Sequence, residues 1–179
     1  MALKTFILLN SESKKQRDAD IETAVRHYLN KDDVKLSYDD NGKPSLLNTD
    51  SRIYISITCA NDVMMVVLYH KPVGIDGEYL PKHLTPNHNI DYNLLAERFF
   101  SYDEAEFVRD GNEAENFVRV WVRKEAYVKA AGKTLADFPN FSVVDGSRLL
   151  PKVNGISLKK FSIKFADSEN YLFCIAGVD

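Results

Sequence analysis

The sequence predicts an α+β fold made of two similar halves, and three features of its pattern carry that prediction. Thr5 to Leu9, Ile53 to Cys59, Val63 to Tyr69, Val73 to Glu78, Ser157 to Phe165 and Tyr171 to Ala176 show the alternating or continuous apolar runs of strands. Between them, Arg17 to Leu29 and Glu113 to Ala131 repeat apolar residues at helical spacing. The order strand, helix, hairpin also occurs twice, which suggests a fused pseudo-duplicate divided near Lys71. The expected halves are residues 1–71 and 72–179.

Each element has a local reason. Thr5 to Leu9 reads as a first strand, because the start of the chain lacks the basic residues and cleavage site of a leader. Arg17 to Leu29 places Ile21, Ala24, Val25 and Tyr28 on one side of a helix. Asp39-Asp40-Asn41-Gly42-Lys43-Pro44 is turn chemistry, in which Asn-Gly supplies positive φ and proline sets the exit direction. The spacing of its acids does not fit a calcium loop. Ala60-Asn61-Asp62 turns Ile53–Cys59 into Val63–Tyr69 as a hairpin, and Val73 to Glu78 follows as a strand. A polar loop from Pro81 to Asp91 leads to helical patterns at Leu94 to Phe100 and Tyr102 to Arg109. The longest helix, Glu113 to Ala131, stops at Gly132, a residue suited to the left-handed C′ position. Phe141 to Val144, Ser157 to Phe165 and Tyr171 to Ala176 close the chain as strands, the last two joined through Asp167-Ser168-Glu169-Asn170.

Composition narrows the function classes. A chain of 179 residues that is 45% hydrophobic and 27% charged can form a core without staples, which excludes disordered, collagen-like and coiled-coil chains. The longest apolar run, Val63 to Tyr69, is too short to span a bilayer, so no membrane partner is expected. A net charge of −3 argues against nucleic acid as a partner. Cys59 and Cys174 lack metal-ligand spacing and read as buried free thiols in a reducing cytoplasm.

Chemistry can lie in three places. In Gly74-Ile75-Asp76-Gly77-Glu78, strand alternation projects Asp76 and Glu78 to one side while Val73 and Ile75 face the core. Paired carboxylates suit a hard cation such as Mg²⁺, and a plain solvated strand face is the alternative. On the long helix, Phe117, Trp121, Glu125 and Lys129 form one i, i+4 row, setting Glu125 beside the buried stripe with Lys124 and Lys129 as donors for an anion. An ordinary Glu125–Lys129 helix pair is the bland account of that row. Gly-Lys occurs twice: Gly132-Lys133-Thr134 closes a helix where a phosphate-binding loop must open one, and Gly42-Lys43-Pro44 lies in a turn. The chain lacks a Gly-x-Ser-x-Gly elbow, a His-Glu-x-x-His pair and a Cys-x-x-Cys pair. His83 and His88 lie in a proline-containing loop and read as surface residues.

Together these segments resemble the 4′-phosphopantetheinyl transferases of the surfactin (Sfp-like) type. That family carries Gly-[Ile/Val]-Asp-x-Glu on a strand and Trp-x-x-Lys-Glu-[Ala/Ser]-x-x-Lys on a later helix. Here these motifs stand as Gly74 to Glu78 and Trp121 to Lys129, with Arg98-Phe99-Phe100-Ser101, Gly132-Lys133-Thr134-Leu135 and Asn41-Gly42-Lys43-Pro44 as further matches.

The resemblance implies a fused pseudo-dimer of two α+β halves that is monomeric and binds coenzyme A and Mg²⁺ in the cleft between them. A serine of an apo acyl or peptidyl carrier protein would attack the β-phosphate, with 3′,5′-ADP leaving. Such carriers serve fatty-acid, polyketide or nonribosomal-peptide synthesis. By resemblance Asp76, Glu78 and Glu125 hold the Mg²⁺, and Glu125 takes the serine proton directly or through a metal-bound water. Lys129 contacts the phosphates with Lys124 beside it, Lys43 and Pro44 flank the adenine end, and Arg17 reaches the 3′-phosphate. Ser56-Ile57-Thr58 stands where the family has Ser-His-Ser or Ser-His-Thr. Ser56 and Thr58 carry over as coenzyme A contacts, and Ile57 replaces a histidine that contacts a phosphate. Gly77 replaces an aliphatic residue, which predicts a less well-packed strand. The carrier is expected to dock along Tyr79 to Asn93 through Leu80 and Leu84, steered by Arg109, Arg119 or Arg123. The rival reading, motivated by Ile57, is a non-catalytic homologue that binds a carrier protein or coenzyme A without efficient transfer.

Overall fold

Helix α1 (Lys14–Leu29) starts three residues before Arg17 because the Ser13 hydroxyl accepts the Gln16 amide and caps it there. It ends at Asn30 in the left-handed region, with φ 52°. The computed structural model to which it belongs describes residues 2–50, 52–85, 90–165 and 168–178. His88 and the Asp167 part of the last turn lie outside them.

The helix covers one face of an antiparallel sheet formed by β1 (Lys4–Leu9), β4 (Tyr54–Ala60) and β5 (Val63–Tyr69), in the order β1-β5-β4. A separate hairpin, β2 (Lys35–Tyr38) and β3 (Pro44–Leu47), turns at Gly42 with φ 78°, as the Asn-Gly pair predicts. Ile21 and Val25 of α1 meet Ile55, Met64, Val66 and Leu68. The other face of the sheet, through Ala60, Val63, Met65 and Val67, meets Val73, Ile75, Tyr171 and Phe173 of a second sheet. Central strand β5 is thus covered on both faces, which explains its unbroken apolar run.

The second sheet has the order β6-β11-β10-β9, with β6 Val73–Tyr79, β9 Lys152–Val153, β10 Ile156–Phe165 and β11 Ser168–Val178. Its far face packs Leu158, Leu172, Cys174 and Ala176 against the long helix α5 (Glu113–Ala131). The layers run α1, first sheet, second sheet, α5. In both sheets the first strand pairs with the last and the last with its predecessor: β1-β5-β4 and β6-β11-β10. Three short helices, α2 (Leu80–Leu84), α3 (Tyr92–Phe99) and α4 (Tyr102–Arg109), connect β6 to α5. Asn112 caps the start of α5, and Gly132, with φ 67°, ends it as predicted.

Several expectations are corrected. Phe141 to Val144 is not a full strand: a 3₁₀ turn at Leu135–Asn140 precedes it, and only β7 (Val144–Asp145) pairs, with β8 (Arg148–Leu149). Its apolar residues serve burial instead, Phe141 lying 4.3 Å from the Tyr127 ring. Cys59 is exposed, whereas Cys174 is buried and its thiol pushed up to about 12, chiefly by burial. Gly77 does not leave the strand thinly packed, because the Phe173 ring fills its place: a Cβ there would lie 2.0 Å from a ring carbon. Among the described residues no helix is long and apolar enough to cross a membrane.

Gly74 sets the distance between β6 and α5. A Cβ on it would stand 2.1 Å from the Ala126 carbonyl oxygen and 2.6 Å from the Ala130 nitrogen, both backbone atoms with little freedom to retreat. Gly74→Ala is expected to destabilise the fold by about 3 kcal/mol, read as a melting midpoint lowered by about 6–12 °C in thermal unfolding followed by circular dichroism. An unchanged midpoint would contradict the tight helix–strand contact.

Candidate active site

Strand alternation turns Gly74, Asp76 and Glu78 toward α5, and helical spacing brings Glu125 and Lys129 to the same side. The Lys129 ammonium lies 2.7 Å from Asp76 Oδ1, donates to the Ile75 carbonyl at 3.0 Å, and stands 4.0 Å from Glu125 Oε2. Thr58 of β4 also donates to Asp76 Oδ1, at 3.2 Å. Glu78 Oε2 is 3.2 Å from His83 Nε2, and His83 Nδ1 is 3.0 Å from the Tyr92 hydroxyl.

Burial pushes the Asp76 carboxyl above the usual carboxylate range, and the neighbouring Glu78 charge adds to it, against the pull of Lys129. Burial likewise raises the Glu125 carboxyl, reinforced by Asp76 and Glu78 and opposed by Lys129. The Tyr92 phenol is raised by burial and by the Glu78 charge, so it stays a donor.

Asp76 and Glu125 stand beside the Lys129 ammonium, and the Glu78 carboxylate lies near enough to act on both acids. All their donors are hard oxygens, and the Lys129 cation already stands beside two of them, so the donor set fits a small divalent cation. Among the described residues no three His, Cys, Asp or Glu side chains close into a metal-holding group. Mg²⁺ seldom needs one: it is commonly held by one or two carboxylates together with waters and substrate phosphates.

Lys129 also lines a cleft of about 420 Å³, with Lys43 and Pro44 of the β2–β3 hairpin, Tyr54, Val73 and Gly132 among its walls. That volume is in the range of small-molecule sites. The structure therefore brings Asp76, Glu78 and Glu125 together with Lys129, and Lys129 in turn lines the cleft with Lys43 and Pro44.

Other expected residues stand elsewhere. Lys124 is 0% exposed and does not reach the cleft: its ammonium donates to Glu104 at 2.7 and 2.9 Å and to the Phe141 carbonyl at 2.6 Å. Burial lowers its pKa while Glu104 holds it up. Ser56 is buried, its hydroxyl accepting the Ile75 amide at 3.0 Å, so Ser56 and Thr58 join the first sheet to β6 and do not line the cleft. Ile57 packs on the α1 side of the sheet. Arg17 is not a wall of the cleft either, because its guanidinium donates to the Ser11 and Glu12 carbonyls. The steering cations are already paired or buried: Arg109 with Glu97 and Glu106, Arg119 with Glu115, and Arg123 beneath the surface on the Leu150 carbonyl. Leu80 is buried, leaving Leu84 exposed.

His83 is no surface residue, its side chain being 12% exposed. Tyr92 and Glu104 were not singled out in the sequence, although Ser101-x-x-Glu104 matches a capping box and forms one. Next to Glu78 and His83 an apolar groove of about 240 Å³ is walled by Tyr92, Phe99, Phe117 and Trp121.

The model of the 4′-phosphopantetheinyl transferase superfamily matches residues 72–176. The chain is 32% identical over 116 residues to the 4′-phosphopantetheinyl transferase HetI of Nostoc sp., an overlap covering 62% of this chain and 46% of that protein. The chain thus spans about half the length of this curated relative.

Two outcomes are expected of the buried charges. Lys124→Ala strands the Glu104 carboxylate and should cost about 3–5 kcal/mol in urea unfolding, most of it recovered by Lys124→Met combined with Glu104→Leu. Glu125 has a folded-state pKa above its ordinary 4.5, so its contribution to stability is lost as pH rises from that value through the raised one. With divalent cations chelated, Glu125→Gln should melt higher than the unsubstituted protein at neutral pH and converge with it in acid. A lower melting point for the variant at neutral pH would refute the raised carboxyl.

Proposed function

The chain belongs to the 4′-phosphopantetheinyl transferase superfamily, and from that premise we propose that it transfers the 4′-phosphopantetheine group of coenzyme A to a serine of an apo acyl or peptidyl carrier protein. The observation that carries this reading is the position of Lys129, which lines one cleft with Lys43 and Pro44 and also pairs with Asp76 among the carboxylates. An anion lying in that cleft meets both Lys43 and Lys129, the latter beside the acids.

The serine oxygen forms a bond to the β-phosphorus, the bond to the bridging oxygen breaks, and 3′,5′-ADP carries away the displaced electron pair. Glu125, whose carboxyl favours a proton more than an ordinary glutamate does, accepts the serine proton. Lys129 donates to a phosphate oxygen and orients the diphosphate. Lys43 and Pro44 flank the adenine end. Asp76, Glu78 and Glu125 would hold Mg²⁺, which when bound neutralises charge on the diphosphate. We also read the two like-ordered sheets as the halves of a fused pseudo-dimer, residues 1–71 and 72–179, working as a monomer in the cytoplasm.

Intact mass of an apo carrier protein, incubated with this protein, coenzyme A and Mg²⁺, tests the reading. One added phosphopantetheine is expected, abolished by EDTA, with Asp76→Ala and Glu125→Ala slowing transfer by at least about a hundredfold. No mass gain on either an acyl or a peptidyl carrier would overturn it.

A further inference from the structure

We infer that His83, keyed by Tyr92, is a positioning residue that fixes the Glu78 carboxylate in the orientation needed to hold a divalent cation. The inference rests on the proposed function for its place in a reaction, although its principal test does not.

Of the three carboxylates, Asp76 and Glu125 have Lys129 beside them, and Asp76 also accepts from Thr58. Glu78 is oriented differently. The chain leaves β6 one residue after it, and α2 folds back so that the His83 ring lies against the carboxylate, Nε2 at 3.2 Å. The other ring nitrogen meets the Tyr92 hydroxyl at 3.0 Å. A phenol has one proton, and this one has two acceptors within reach, His83 Nδ1 at 3.0 Å and the more distant His83 carbonyl at 3.4 Å. Directed at Nδ1, it leaves the proton of the neutral imidazole on Nε2, facing Glu78 as a donor.

Tyr92 is itself fixed. It is buried, its ring lies 5.2 Å from that of Phe117, and it opens α3 directly after Asp91, which caps that helix. The chain Tyr92–His83–Glu78 therefore runs from a rigid aromatic cluster to a half-buried carboxylate that has two methylenes of freedom. Partners of this kind, bonded to a ligand and not to the metal, commonly change metal affinity 10–100-fold when removed.

The test is calorimetric titration of Mg²⁺ into the full chain. His83→Leu, which keeps bulk and removes the donor, should weaken binding about 10–100-fold, while His83→Gln, whose amide replaces the Nε2 donor, should stay within about threefold. Tyr92→Phe should fall between them. In a Glu78→Gln background, His83→Leu should have no further effect, and melting midpoints identify variants that are merely unfolded.

Unchanged Mg²⁺ affinity in folded His83→Leu overturns the inference. So does equal weakening by His83→Leu and His83→Gln, a persisting His83→Leu effect without the Glu78 carboxylate, or no Mg²⁺ binding by the unsubstituted protein. The expected order of affinities in a protein that transfers nothing would overturn the proposed function and leave this inference standing.

Discussion

Helix α5 rests on strand β6 at a separation that only a missing side chain permits, and the remaining geometry follows from it. With no Cβ at Gly74, the backbone of Ala126 and Ala130 reaches the strand, and the residues just before them, Glu125 and Lys129, come to stand beside Asp76. The helix is held from its other side as well. Phe117 and Trp121 stack at 5.7 Å within a cluster that includes Phe100 and Phe138, and Lys124 is tied through Glu104 to α4 and to the segment after the 3₁₀ turn. Neighbouring residues on α5 thus face opposite ways: Lys124 is buried on Glu104, and Glu125 stands beside Lys129 and Asp76.

Charge at this site is unbalanced by construction of the fold. The buried pair Lys124–Glu104 is fully satisfied, the glutamate also accepting the Ser101 and Val143 amides. The open cluster has three acids and one ammonium, and burial, reinforced by the neighbouring acids and opposed by Lys129, raises the proton affinity of Asp76 and Glu125.

Much of this was legible in the sequence. Period-two and helical spacing located the strands and the long helix, and the same periodicities placed Asp76 with Glu78 and Glu125 with Lys129. What stayed hidden depends on contacts between distant residues. Lys124 and Glu125 both border the apolar stripe, and periodicity alone does not say which turns inward. The answer lies in Glu104, on a separate helix. The complement of Gly77 is Phe173, on the last strand, and Ser56 finds its partner in a backbone amide of another sheet. His83 reads as a loop residue because α2 is a single short turn without a periodic signature.

The superfamily match begins at residue 72, as though the second sheet and its helices were complete in themselves. The bonds from Ser56 and Thr58 argue otherwise, together with the face of Val73, Ile75 and Phe173 that lies against Ala60, Met65 and Val67. A fragment cut at that boundary would bare this apolar face to water and remove one of the two side chains that hold Asp76. The β6 edge that carries Asp76 and Glu78 is only as durable as its seam with the first sheet, so that sheet supports the carboxylates from behind.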